Sequence, residues 1–368
     1  MKAPALLIPF ALVTACKPSS DPSAVPRPGT ETSTRTGAKG NGELRFYTFP
    51  EYHDPEIVEE YERRTNTRVR ISYYESTEEM LAKLQHADGA SQYDVVVVSQ
   101  QTVPVMARLG LLRKLDHAKI PNLQNLASRF RTLATDPGNE HSVAYQWGTV
   151  GIIYDKKKHP SVEPTWGLIF DEKKRAGTFL MIDEMRDQMG AALAYLGCSI
   201  NSTVAEEVKK AGELVLDAKK SSNSLGFEGG VGAKNRVASG LVDFAVVWNG
   251  DAIKAMSEDA EGRLGFIFPR EGSVLWADVM VITAKGPNPD AAHAFVDHIL
   301  EPKTGARLSN FNKFATPNQS SMTFINPQDA ANPALYPSEE QLGKVQYLRD
   351  LGDGTRLYDE VWTAVKAR

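Results

Sequence analysis

Residues 273–282 read SVLWADVMVI and set one acid, Asp278, inside an otherwise apolar run. A carboxylate buried without a partner costs several kcal/mol or takes up a proton, so Asp278 needs a counterpart. Trp276 lies two residues earlier, on the same face of a strand. Acids and rings meet elsewhere in the chain too. Glu51 and Tyr52 follow Phe49, Trp248 ends an apolar run, and Glu184 and Asp187 are three apart, which puts them on one face of a helical turn. Carboxylates pair with ammonium groups, and rings attract a cation while covering its methylenes, each well-placed ring contributing about 0.5–2 kcal/mol. This combination suits an organic cation. Taken singly, each residue also fits a structural role, Trp248 as core and Glu51 as a solvated loop acid, so the inference requires that they share one cleft.

The elements that would position them follow from hydrophobic periodicity. ELRFYTF (43–49) alternates as a strand, and DPEIVEEYERRT follows as a helix with Asp54 as N-cap and Pro55 at its first position. RVRISYY (68–74) is a second strand, Ser76 with Glu79 forms a capping-box pattern opening a helix to about His86, and YDVVVVS (93–99) reads as a strand covered on both faces. This alternation predicts a parallel sheet with helices on its faces. A second series continues with HSVAYQWGTVGIIYD as a strand pair, GTFLMID as a strand, a helix from about Arg186 to Leu196, and the amphipathic EEVKKAGELVLDAKK. VDFAVVWNG then gives a strand, AIKAMSED a short helix, and LGFIFPREGSVLWADVMVI two strands joined by a turn at Pro269–Gly272. PDAAHAFVDHIL and EEQLGKVQYLRDL read as late helices. The pattern implies two α/β lobes, each with its own sheet. Open α/β sheets bind ligands beyond the carboxyl ends of their strands, where YTFPEY, VVVSQQ, MIDEMRD and VVWNGD fall.

Composition excludes several classes. The 368 residues allow two domains, and 42% apolar with 24% charged residues is ordinary for a globular protein. A net charge of −4 carries no basic footprint for nucleic acid. The two cysteines, Cys16 and Cys198, allow one disulfide at most. Residues 1–15, MKAPALLIPFALVTA, have the length of a signal-peptide core and are too short to span a bilayer. LVTAC resembles a bacterial lipobox, which implies cleavage before Cys16 and lipidation of its thiol. Residues 16–42 are rich in Pro, Ser, Thr and Gly, cannot bury enough surface to fold, and read as a tether to a membrane.

No GxSxG, HExxH or Walker A motif occurs, and GGVGAKN (229–235) lacks the dinucleotide-binding spacing. His293 and His298 are five apart, on different helix faces, so they do not form a shared metal site. Cys198 reads as a small buried hydrophobe. The rings of Tyr73 and Tyr74 point in opposite directions on a strand. The expectation is a binding protein without enzymatic activity, cofactor or metal.

From Glu43 onward the chain resembles the periplasmic spermidine/putrescine-binding proteins of ABC transporters. The resemblance rests on RFYTFPEYHDPEIVEEYERRTN, YYESTEEMLAKL, YDVVVVS, YQWGTVGI, VVWNGDA, FPREGSVLWADVMVI and ATPN (315–318) in that order. It implies a two-lobed α/β Venus-flytrap fold of the periplasmic-binding-protein type, each lobe a mixed sheet flanked by helices. Residues 43–145 and 278–320 would form lobe 1, and 146–277 and 321–368 lobe 2. It further implies a polyamine in the interlobe cleft, an ABC permease with a cytoplasmic ATPase as partner, a lipid-anchored location on the extracytoplasmic face, and a monomer. Carried over by position, Glu51, Tyr52, Ser99, Glu184, Asp187, Trp248, Trp276, Asp278 and Gln346 match the family's ligand residues, Asp278 being the main ammonium partner. Phe49, Gln101 and Phe314 stand where the family has Trp, Tyr and Tyr, and Lys313 replaces a usual Gly; its charge is expected to point away from the cleft. Two other readings remain at this stage: the same fold holding a different organic cation or an anion, for which Arg186 is the only nearby Arg, and a surface lipoprotein acting as a sensor or adhesin.

Overall fold

The computed structural model describes residues 42–86 and 89–368. The expected leader over residues 1–15, the expected lipidation site Cys16 and the expected tether up to residue 41 lie outside the described residues. Gly42, assigned above to the tether, opens strand β1 (Gly42–Thr48). Helix α1 (Pro55–Thr65) begins as read: the Asp54 carboxylate accepts from the Glu56 amide at 2.9 Å and Pro55 occupies the first turn. After β2 (Thr67–Tyr73), helix α2 (Thr77–Gln85) is capped by Ser76, whose hydroxyl accepts from the Glu79 amide at 3.3 Å. The Glu79 carboxylate reaches back to the amide of Glu75, one residue beyond the usual reciprocal partner. β3 (Val95–Ser99) pairs parallel with β1, and β1 pairs parallel with β2.

The remaining strands are β4 (Ser142–Asp155), β5 (Phe179–Ile182), β6 (Ser224–Glu228), β7 (Phe244–Trp248), β8 (Leu264–Ile267), β9 (Ser273–Ile282) and β10 (Val345–Tyr347). They form one mixed sheet path in the order β2-β1-β3-β9-β4-β7-β5-β6, with β10 beside β9 and β8 beside β4. β9 is antiparallel to both β3 and β4, and β4 is antiparallel to β7. All ten residues of β9 are buried, which explains why its sequence is apolar except at Asp278 and its first residue, Ser273.

Three expectations need correction: the strand pair at residues 141–155, the last helix and the burial of Cys198. HSVAYQWGTVGIIYD is one 14-residue strand rather than a pair, because its first half ladders onto β9 and its second half onto β7 and β8, leaving no unpaired stretch to turn. The Pro269–Gly272 turn does form, with the Gly272 amide donating to the Pro269 carbonyl. Yet β8 and β9 do not pair with each other; they lie end to end along β4. In EEQLGKVQYLRDL only Glu339–Leu342 is helical. Gly343 weakens helix continuation, and Val345–Tyr347 instead extends the sheet parallel to β9. Cys198, expected as buried, is half-buried, and desolvation raises its thiol pKa, so it is not poised as a thiolate. Tyr73 is exposed while Tyr74 is buried, as strand alternation requires.

Candidate ligand-binding cleft

The carboxyl ends of β1, β3, β5 and β7 converge with β9 on a cleft of about 660 Å³, counting its opening to solvent. Asp278 occupies the centre of the sheet. Its backbone lies opposite Ser99 on β3 and Gln146 on β4. Its carboxylate accepts from Ser99 Oγ at 2.8 Å and from the Tyr52 hydroxyl at 2.9 Å. Tyr52 is itself fixed by the Tyr145 hydroxyl, which donates to the Tyr52 carbonyl at 2.6 Å. Two neutral donors leave the negative charge of Asp278 uncompensated. Burial pushes its pKa up to about 6 against the lowering effect of those two donors.

A second acidic group lies on the Trp248 side. Asp187, in the first turn of the Met185–Tyr195 helix after β5, accepts from Trp248 Nε1 at 2.7 Å through one oxygen; its other oxygen is buried without a hydrogen-bond partner. Burial pushes Asp187 up to about 7, partly opposed by the Trp248 N–H. Glu184, at the N-cap of the same helix, is raised well above the usual carboxylate range, first by burial and then by Glu78 and Asp187. Between the two acidic sides runs a chain of rings. Phe49 lies 6.1 Å from Trp248 and 5.9 Å from Tyr52, Tyr52 lies 5.1 Å from Phe314, and Phe314 lies 5.4 Å from Trp276, all between ring centroids. Gln101 completes this part of the lining, its carbonyl oxygen buried and unpartnered, as is Trp276 Nε1.

The WNG stretch positions two of these rings. Asn249 is fully buried; its side-chain oxygen accepts from the Thr149 amide at 3.1 Å and its nitrogen donates to the Ala334 carbonyl at 2.7 Å. Gly250 lies against the Phe314 ring, where an added Cβ would come within 2.2 Å of a ring carbon. Gly250→Ala must displace that ring, and overpacking of this kind costs about 1–3 kcal/mol. Urea unfolding should show that loss; an unchanged midpoint would show that Phe314 is free to move aside.

Two expected residues do not reach the cleft. Glu51 adopts a left-handed φ of 55° and turns its carboxylate to Lys234 Nζ at 2.7 Å. Gln346 sits on β10, where its side chain accepts from Ser199 Oγ at the surface. Conversely, Pro50, Glu75, Val231, Asp251 and Leu348 line the cleft without having been singled out as ligand residues. Asp251 had a legible signal, lying three residues after Trp248 in the first turn of the Asn249–Glu258 helix. Lys313 pairs with Asp329 at 2.7 Å and does not line the cleft. Arg186 turns to the Arg349 carbonyl and Asn201. Among the described residues that line the cleft, five are carboxylic acids and none is Lys or Arg. An anion would find no countercharge in that lining. No group of described residues has the makings of a metal site, and no described helix is long and apolar enough to cross a membrane.

Fold and cleft together define a solute-binding protein of the periplasmic-binding-protein type, built to enclose a small ligand between strand ends. Residues 56–337 match the bacterial extracellular solute-binding protein family, and the chain belongs to it. It is 30% identical over 332 residues to the spermidine/putrescine-binding periplasmic protein of Salmonella typhimurium, spanning 90% of this chain and 93% of that one. It is 31% identical over 336 residues to a putrescine/cadaverine-binding protein of Pseudomonas aeruginosa, spanning 88% and 94%. Among solved structures, a lipoprotein of Treponema pallidum superposes with a TM-score of 0.76 at 32% identity over 89% of this chain and all of that one. The spermidine/putrescine ABC transporter substrate-binding protein of Streptococcus pneumoniae gives 0.74 at 25% identity over 89% and 99%.

Proposed function

We propose that the protein is the substrate-binding component of an ABC importer and captures a polyamine of the putrescine or spermidine kind in this cleft. The observation that carries the reading is a lining with five carboxylates, a chain of rings and no basic side chain. Asp278 takes one ammonium group, with Trp276 and Phe314 over the adjoining methylenes. Asp187 and Glu184 take the other, and Phe49, Tyr52, Ser99, Gln101 and Trp248 orient the chain between them. The spermidine/putrescine-binding and putrescine/cadaverine-binding relatives support the same ligand class. No covalent step is required of any lining residue.

In this reading the lobes are residues 43–145 with 278–320 and residues 146–277 with 321–368. They close on the ligand by bending, and the closed form docks as a monomer on a permease driven by a cytoplasmic ATPase. The register shift between Ala144 and Gln146 of β4 lies at the first boundary. Cys16 carries a lipid that holds the protein on the extracytoplasmic face, consistent with a lipoprotein among the similar structures.

Isothermal titration of residues 42–368 with amines of increasing length and charge, and with dicarboxylates as controls, tests the proposal. Putrescine or spermidine should bind at micromolar affinity or tighter, roughly −8 kcal/mol or beyond. Heat from the dicarboxylates and none from the amines would reverse the assignment.

A further inference from the structure

Lys234 is the least expected charge in the molecule. It lies on the Gly230–Ala238 helix with only 3% of its surface exposed, and lysine is almost never buried so fully unless paired. Its Nζ lies 2.7 Å from Glu51 and 3.6 Å from Asp251. Asp251 lines the cleft; Lys234 does not, so the ammonium sits behind the carboxylate that faces the ligand. The contact is built in. Gly230 leaves room for the Asp251 carboxylate and the Trp248 ring, either of which would lie 2.5 Å from a Cβ at that position. Glu51 comes from the loop after β1 that also carries Phe49, Pro50 and Tyr52, so Lys234 ties the β1 side of the cleft to the β7 side.

We propose that Lys234 is a specificity-determining residue, a resident ammonium that withholds Asp251 and Glu51 from the ligand and so tunes the cleft toward diamines over triamines and tetramines. The inference rests on the polyamine reading above. Asp278 on the Tyr52 side and Asp187 with Glu184 on the Trp248 side provide for two ligand ammonium groups. Asp251 would provide for a third on the Trp248 side, but the chain's own cation, shared with Glu51, already pairs with it. Without Lys234, a buried carboxylate would face the cleft uncompensated, and a ligand bearing one more charge would be its natural counterion.

The test titrates the full chain with 1,4-diaminobutane, spermidine and spermine. In Lys234→Met the ratio of spermidine to diamine affinity should rise by about tenfold or more, the scale of one buried charge contact. Lys234→Arg should keep the wild-type ratio, and the double variant Lys234→Met with Asp251→Asn should lose the gain. An unchanged ratio in Lys234→Met, or equal weakening of all three amines, overturns the proposal, the latter reducing Lys234 to a structural strut. If Lys234→Met does not fold, Asp251→Asn decides. Leaving the ammonium beside the cleft without that carboxylate should weaken spermidine more than the diamine, and an unaltered ratio is fatal. Wild-type protein that binds no amine removes the functional reading together with this inference. Wild-type binding with an unshifted ratio removes this inference alone.

Discussion

An Asp278→Ala protein should bind putrescine or spermidine at least about tenfold more weakly than wild type, because breaking a buried charge pair typically costs about 3–5 kcal/mol. The strand explains why no neighbour can substitute. β9 is buried throughout, and among the described residues the hydrogen bonds to the Asp278 carboxylate come from the hydroxyls of Ser99 and Tyr52, which orient it without neutralising it. Asp278→Asn is the more discriminating variant. It keeps the shape, removes the charge, and should therefore match the alanine variant in affinity loss. With the charge gone, the ligand-free Asn variant should also melt at a higher temperature than wild type at pH 8, since a desolvated carboxylate without a countercharge no longer has to be accommodated. Wild-type affinity in either variant would place the ligand elsewhere.

Polyamine affinity should fall by at least about 100-fold between pH 8 and pH 5, as protons compete for the same carboxylates. In the ligand-free protein burial holds Asp278 at about 6 and Asp187 at about 7. Cation binding requires both to be ionised, whereas the amine stays protonated across this range. Raised carboxylate pKa values also mean that the ligand-free fold binds more protons than the unfolded chain. The associated stability is complete below the unfolded value near 4 and is lost as pH rises through 6 and 7. A bound ammonium supplies the missing positive charge at high pH, so the ligand-induced rise in melting temperature should grow from pH 5 to pH 8. Calorimetry at pH 6.5 in buffers of different ionisation enthalpy should show proton release on binding. A flat affinity profile would mean that these acids are already ionised in the empty cleft.

Much of the site was legible because strand ends announce themselves locally. Apolar runs closing on YTFPEY, VVVSQQ and VVWNGD delivered Phe49, Tyr52, Ser99, Gln101 and Trp248 to one cleft, and the Glu184/Asp187 spacing placed both acids there through a single helical turn. Glu51 shows the limit of such reading. Its position beside Tyr52 suggested the same destination, but a left-handed backbone and a lysine 183 residues away redirected it. That partner is a tertiary fact with no local trace. Gln346 came from the family resemblance alone, and the element around it was also misread: helical periodicity in EEQLGKVQYLRDL competes with hydrogen bonding to β9, and the sheet wins after Gly343. The caps at Asp54 and Ser76 were readable because they depend on neighbours two or three residues away.

The continuity of β4 bears on how this molecule comes apart. Its fourteen residues hydrogen-bond to β9 along one stretch and to β7 and β8 along the other, so the halves of the sheet share a single backbone ladder. One half, from the second part of β4 through β8, is a single stretch of chain inserted into the other, and a rupture begun at one edge must travel through the common strand before either side is released. The two halves of the sheet would therefore melt as one cooperative unit, so that a single calorimetric transition is expected for residues 42–368.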